Sequence, residues 1–128
     1  MFEAPEMMRV AQDLARYSGT RQSVIASNIA NSDTPGYKAR DLTPFAEILQ
    51  STGKTDLRQT RHGHFSSANG SAFWNSVDAG GTPSPNGNTV TLEDEMVKAT
   101  RASSSHTLAL TVYKSSLDIF RTVLGRGR

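Results

Sequence analysis

Residues 30–41 read ANSDTPGYKARD, and a regular helix is expected to end within them. Pro35 has no amide hydrogen and biases Thr34 away from the helical region. Pro35 and Gly36 suit the two central positions of a type II turn, so we expect the chain to turn here. The polar side chains before Pro35 can hydrogen-bond nearby backbone groups, which is typical of a capped helix end.

A helical pattern leads into this turn from the N-terminal side. Over residues 5–31 the apolar positions recur at spacings of three and four, so they share one face of a helix. Pro5 fits the first helical turn, and Glu3 and Glu6 place negative charge near the positive end of the helix dipole. We predict that residues 1–36 form one amphipathic helix and its closing turn.

Residues 91–128 are predicted to be a heptad helix followed by a short basic tail, and residues 92–124 carry the clearest periodic pattern in the chain. Their apolar positions alternate in steps of four and three, which is typical of a coiled-coil seam. Thr91 can cap such a helix. Neither terminal helix can bury its apolar stripe alone, so the predicted fold is mainly α, with the two long terminal helices forming an antiparallel coiled-coil pair. The predicted packing residues are Met7, Leu14, Ile25, Leu92, Met96, Leu110, Tyr113, Leu117, Phe120 and Leu124.

The register of this pair can also be predicted from polar positions in the seam. If Met7 lies level with Phe120, Arg21 comes close to Ser103 and His106, and these polar side chains set the register. The alternative is that Arg21 lays its methylene groups along the seam and sends its guanidinium into water.

The middle of the chain has a different character. Residues 37–52 are predicted to be an extended stretch followed by a short helix. Residues 53–90 are rich in Gly, Ser, Thr, Asn and Pro, so we expect an irregular, partly flexible segment. Within it, the turn signal Asn69-Gly70 favours a small β-hairpin over residues 65–74, and residues 79–88 have the composition of a mobile loop. The helices, the extended stretch and the middle segment are predicted to form one structural unit.

Composition narrows the classes of function. The 128 residues include 14 basic and 12 acidic ones, a net charge of +2, and the arginines are scattered, so nucleic-acid binding is disfavoured. There are no cysteines. No apolar run is long enough for a membrane span or the core of a secretory signal. Leu, Ile, Val and Phe together make up 25 of the 128 residues, which indicates a thin core.

Neither catalysis nor a cofactor is predicted. His62 and His64 are close enough in sequence to chelate a metal, but a third ligand is missing nearby, so a solvent-facing loop is favoured. His106 falls inside a helical seam, where a packing role is favoured over that of a catalytic base. Trp74 is expected to close a small cluster with Phe73 rather than to anchor a partner. We expect no metal, no cofactor and no enzymatic activity.

The turn and the residues before it also carry a family resemblance. This string resembles the N-terminal signature of the axial proteins of the bacterial flagellum, the rod and hook family. The residues that carry the signature are Asn28, Ile29, Ala30, Asn31, Thr34, Pro35, Gly36, Tyr37 and Lys38. The continuation through residues 39–42, and a short chain closed by a long helix, resemble the proximal-rod members of that family.

The resemblance implies a function that composition alone does not show. It implies a structural subunit that is exported by the flagellar type III apparatus and polymerises through its terminal helices in the periplasmic rod of the basal body, where it transmits torque. The implied partners are copies of the chain itself, other rod proteins, the rod-to-export-gate adaptor, and the MS-ring and export gate. The signature residues would then form an assembly motif that contacts a neighbouring subunit.

A second function remains open at this point. A soluble helical adaptor or chaperone-like hairpin would use the same coiled-coil seam to bind another protein. The adaptor should fold cooperatively alone, whereas a rod subunit should complete its order with its partners.

Overall fold

The computed structural model describes residues 4–52 and 74–125 and is mainly helical. Helix α1 covers Ala4–Ala30, strand β1 Arg40–Leu42, helix α2 Phe45–Thr52, strand β2 Ser76–Asp78 and helix α3 Leu92–Gly125. With 34 residues, α3 is about 50 Å long. The predicted long terminal helices are confirmed. The predicted hairpin over residues 65–74 lies outside the described residues, apart from Trp74.

The two long helices run antiparallel. Near the end of α1, Asn28 donates a hydrogen bond of 3.0 Å to Glu95 in the first turn of α3. Farther along, Nδ1 of His106 lies 3.1 Å from the carbonyl oxygen of Ala15. Because residue numbers rise along α3 as they fall along α1, the predicted antiparallel pairing is confirmed.

Small and polar side chains make the face of α3 that packs against α1. The buried residues of α3 recur at heptad spacing, and they are Glu95, Ala102, Ala109 and Ser116. The buried residues of α1 are Ala11, Tyr17, Ser18, Ile25 and Asn28. The separation of two packed helices depends on the side chains at the contact, so this composition favours a close approach.

The predicted seam of α3 faces this contact only in part. His106, Tyr113 and Phe120 are partly buried, and His106 meets the backbone of α1, whereas other members of the seam are exposed. Met96 and Leu110 each follow a buried residue by one position, and one step turns a helix by about 100°. The prediction that Met96 packs in the seam is therefore wrong, because the small side chains occupy the closest contact. Leu110 is half exposed and lines a cavity at the edge of the contact together with Ala11 and Ala15 of α1. The predicted packing residues that are exposed are Met7, Leu92, Met96, Leu110 and Leu124. Those that are partly or fully buried are Leu14, Ile25, Tyr113, Leu117 and Phe120.

The polar register predicted for Arg21 is also wrong. The Arg21 guanidinium binds the Asp41 carboxylate through two hydrogen bonds of 2.8 and 2.7 Å. His106 instead meets the backbone of Ala15. Arg21 binds Asp41 in the segment after the turn. The periodicity of the helices does not predict that this segment lies beside α1.

In the segment after the turn, β1 forms a small antiparallel sheet with β2. In this sheet Arg40 pairs with Asp78, and Leu42 pairs with Ser76. Backbone hydrogen bonds extend the ladder at both ends, from Ala79 to Ala39 and from Thr43 to Asn75. The sheet thereby joins the extended stretch after the turn to the middle segment.

Tyr17 fastens the sheet region to α1. Its hydroxyl donates a 3.0 Å hydrogen bond to the carbonyl oxygen of Thr43. Its ring packs against Phe45, with centroids 5.4 Å apart, and edge-on against Trp74 at 5.8 Å. Trp74 thus closes a cluster with α1 and α2, whereas its predicted partner Phe73 lies outside the described residues.

Candidate functional site

The turn after α1 has the form that its sequence predicts. The amide of Tyr37 donates to the carbonyl oxygen of Thr34 across Pro35 and Gly36, at 3.3 Å. Gly36 has a φ of +72°, and the second central position of a type II turn requires a positive φ. Before it, the amide of Asn31 donates to carbonyl oxygens in the last turn of α1.

Asn28 is the buried centre of this region, with 0% of its surface exposed. Its side-chain amide donates to the Arg40 carbonyl oxygen at 2.7 Å and to the Glu95 carboxylate at 3.0 Å. Its Oδ1 accepts from the Arg40 amide at 3.1 Å and from the Tyr37 hydroxyl at 3.4 Å. One side chain therefore joins α1, β1 and α3.

Glu95 is a buried carboxylate whose two oxygens both have partners. It is 1% exposed; Oε2 accepts from Asn28, and Oε1 accepts from the Lys98 ammonium at 2.7 Å. A buried carboxylate is costly unless it is paired and hydrogen-bonded, so these partners account for its place in the core. The sequence analysis missed Glu95 in this role; the signal was an acidic residue at a position that faces Asn28 in an antiparallel pair.

Arg21 and Asp41 form a half-buried ion pair between α1 and β1. Burial alone would raise the pKa of Asp41, but hydrogen bonds from the Arg21 guanidinium and the Leu42 amide outweigh it. With the added field of Lys98, the pKa of the Asp41 carboxyl falls below its usual range. The hydrogen bond to Asp41 likewise raises the pKa of Arg21. The pair holds β1 against α1.

The residues of the signature therefore divide into an inner and an outer set. Asn28 is fully buried, and the partly buried members are Ile29, Asn31 and Tyr37. The exposed members are Ala30, Thr34, Pro35, Gly36 and Lys38. The inner set holds the end of α1 in place, and the outer set forms the surface of the turn.

The arrangement is one of packing and hydrogen bonding. Within residues 4–52 and 74–125, no group of three or more His, Asp or Glu residues could hold a metal ion. His62 and His64 lie outside the described ranges. Among the described helices, none is long and apolar enough to cross a membrane.

Comparisons with known proteins agree with this geometry. A family model described as "Flagella basal body rod protein" matches residues 19–38, which cover the second half of α1 and the turn. The flagellar basal body rod protein FlgB of Salmonella typhimurium (strain LT2) is 32% identical over 132 residues, or 94% of each chain. The chain belongs to the FlgB family of flagellar basal body rod proteins.

Other members of the FlgB family match shorter stretches. The protein of Agrobacterium fabrum is 30% identical over 115 residues, which cover 86% of each chain. The protein of Cereibacter sphaeroides is 40% identical over 83 residues, which are 62% of this chain and 62% of that relative. The stretch matched by the family model contains the buried Asn28 and the turn at Pro35 and Gly36.

Proposed function

We propose that this chain is a structural subunit of the proximal rod of the flagellar basal body. In this proposal its two long helices pack against those of neighbouring subunits, which are copies of the chain and other rod proteins. A contact that repeats head to tail without closing builds a helical array, which is the form a rod needs. Membership of the FlgB family and the uncovered apolar surface of α3 support the proposal.

The observation that carries the proposal is the far end of α3. His106 of α3 lies level with Ala15 of α1. Because the helices are antiparallel, the residue of α3 level with Ala4, where α1 begins, is Leu117. The rest of α3 therefore extends past the start of α1, by about 10 Å at 1.5 Å per residue. Three of its apolar side chains are exposed, Ile119 by 60%, Val123 by 68% and Leu124 by 78%, while Phe120 is partly buried.

A second uncovered surface runs along the side of α3. Met96 and Leu110 follow the buried Glu95 and Ala109 by one position, Leu124 repeats the same heptad position, and all three are exposed. Burying one such side chain contributes about 1.5–3 kcal/mol, so several together would hold a neighbouring helix firmly. Exposed apolar side chains at one position of a helix are available for contact with another protein.

The turn would supply a separate contact. Its outer residues, among them Thr34, Pro35 and Lys38, are exposed, while Asn28 fixes the turn from within. We propose that this surface meets an adjacent subunit, and that a rigid turn transmits torque between subunits better than a mobile one would.

The setting of the chain is part of the same proposal. We propose that it is exported by the flagellar type III apparatus and takes its place in the periplasmic rod. Its neighbours at the base would be the rod-to-export-gate adaptor and the MS-ring, and its neighbours above would be more distal rod proteins.

A substitution in residues 118–125, the part of α3 that extends past the start of α1 and that we call the overhang, tests the proposal. A strain that lacks the gene is complemented with Val123→Ser, and with Val77→Ser as the matched control on the exposed side of β2. We expect Val123→Ser to reduce swimming strongly and to lower the amount of this protein in purified basal bodies, while Val77→Ser supports normal swimming. Normal swimming with Val123→Ser would contradict assembly through the overhang.

A further inference from the structure

Asn88 ties the approach to α3 onto the turn that follows α1. The side chain is only 2% exposed. Its amide lies within hydrogen-bond distance of three carbonyl oxygens, those of Asn31 at 2.9 Å, Ser32 at 2.8 Å and Thr34 at 2.9 Å. These groups lie just beyond the last turn of a helix, where carbonyl oxygens need partners from outside it.

The backbone on either side of Asn88 adds further contacts to the same turn. The Gly36 amide donates to the Asn86 carbonyl oxygen, and the Thr89 amide donates to that of Tyr37, both at 3.0 Å. The Ala39 amide donates to the Thr89 hydroxyl at 2.8 Å. We call residues 86–90 the latch.

The latch itself is held in shape from within. The side-chain Oδ1 of Asn88 accepts from the backbone amide of Val90 at 2.7 Å. The backbone amide of Asn88 donates to Oδ1 of Asn86 at 3.0 Å. Gly87 has a φ of +82°. It also lies close to Gly36, and a Cβ at position 87 would be 3.5 Å from the Gly36 Cα. The segment is therefore shaped to fit the turn.

The opposite end of the helical pair has a different character. In the part of the chain that the structure describes, the hydrogen bond between α1 and α3 nearest to the termini is the one at His106. Beyond it the buried side chains of α3 are small, Ala109 and Ser116, and three apolar side chains in its last turns, Ile119, Val123 and Leu124, are exposed. The polar contacts are concentrated at one end of the pair.

We propose that the latch makes the helical pair open from one end only. With Asn88 in place, the ends joined by the middle segment stay closed, and separation of α1 from α3 begins at the chain termini. The latch thus confines conformational freedom to the apolar end of α3. The proposal concerns this chain alone and does not depend on the proposed function.

Amide hydrogen exchange of the full chain tests this proposal. In the unmodified chain we expect the amides of Gly36, Ala39 and Thr89 to exchange at least about tenfold more slowly than those of residues 118–125. Asn88→Asp removes the donor and places a carboxylate against three carbonyl oxygens. We expect it to speed exchange at the amides of Gly36, Ala39 and Thr89 together, by about tenfold or more. Asn75→Asp, the same change at an exposed site, should leave them unchanged.

A milder pair of variants decides the outcome if Asn88→Asp unfolds the whole chain. Gly87→Ala strains the latch, and Gly80→Ala applies a similar backbone cost outside it, since Gly80 has a φ of +65° and open space around it. We expect only Gly87→Ala to speed exchange at the amides of Gly36, Ala39 and Thr89. Equal exchange at both ends of the unmodified chain, or the same effect from Gly80→Ala, would overturn the proposal.

Discussion

Replacing Asn28 by alanine should destabilise the chain more than any other single polar substitution in α1. The change removes four hydrogen bonds and leaves the Arg40 amide and carbonyl, together with one oxygen of Glu95, short of a partner. A buried group left without its partner costs about 1–3 kcal/mol. Some relaxation of the neighbours offsets this, so we expect a loss of about 3–5 kcal/mol.

Urea unfolding of the purified chain, followed by circular dichroism at the helical band, measures this loss. A suitable control is Gln22→Ala, because Gln22 is an exposed amide side chain within the same helix. Surface substitutions of that kind usually change stability by no more than about 0.5 kcal/mol. If Asn28→Ala and Gln22→Ala unfold within about 0.5 kcal/mol of each other, the buried polar centre does not hold the fold together as described.

Three further outcomes follow from the geometry. The pKa of Asp41 is lower in the folded chain than its unfolded value of about 4, so its contribution to stability is present above that pH and is lost as the pH falls through the folded pKa. The urea midpoint should therefore drop in that pH range, and Asp41→Asn should make the drop smaller. Gly36→Ala places a Cβ at a φ of +72°, so thermal unfolding should show a loss of about 1–2 kcal/mol, and an unchanged midpoint would contradict the turn geometry. Tyr17→Phe keeps the aromatic packing but removes the hydrogen bond to Thr43, so a loss of only about 1 kcal/mol is expected in the same assay, and a loss as large as that of Asn28→Ala would contradict this division.

The helices could be predicted closely because their signals are local. Periodicity places the first helix at residues 5–31 and the last from residue 91 onward, and the structure has Ala4–Ala30 and Leu92–Gly125. The turn at Pro35 and Gly36 is equally local, since two adjacent residues determine its backbone conformation.

The contact between the helices was harder to predict because a hydrophobic pattern does not say which partner it serves. The heptads of α3 contain two neighbouring stripes. One consists of small and polar residues such as Ala102 and Ala109, which pack against α1, and the other consists of large residues such as Met96 and Leu110, which are exposed. Size alone pointed to the second stripe. In a chain of the FlgB family, that stripe is the surface we propose for neighbouring subunits.

The contacts made by the middle segment could not be predicted from local patterns at all. Strands of three residues separated by more than 30 positions carry no turn signal, so the pairing of Arg40 with Asp78 was missed. Asn88 lies in a stretch whose composition favours a mobile loop, yet it is buried against the end of α1. Its partners are backbone carbonyl oxygens far away in sequence, which leave no trace in side-chain periodicity.

Electron microscopy of basal bodies purified from a strain lacking this gene tests the rod proposal most directly. We expect particles that retain their membrane rings but have no rod, and rods restored by the unmodified gene. Complete rods in the absence of this chain would show that it is not a structural subunit of the proximal rod.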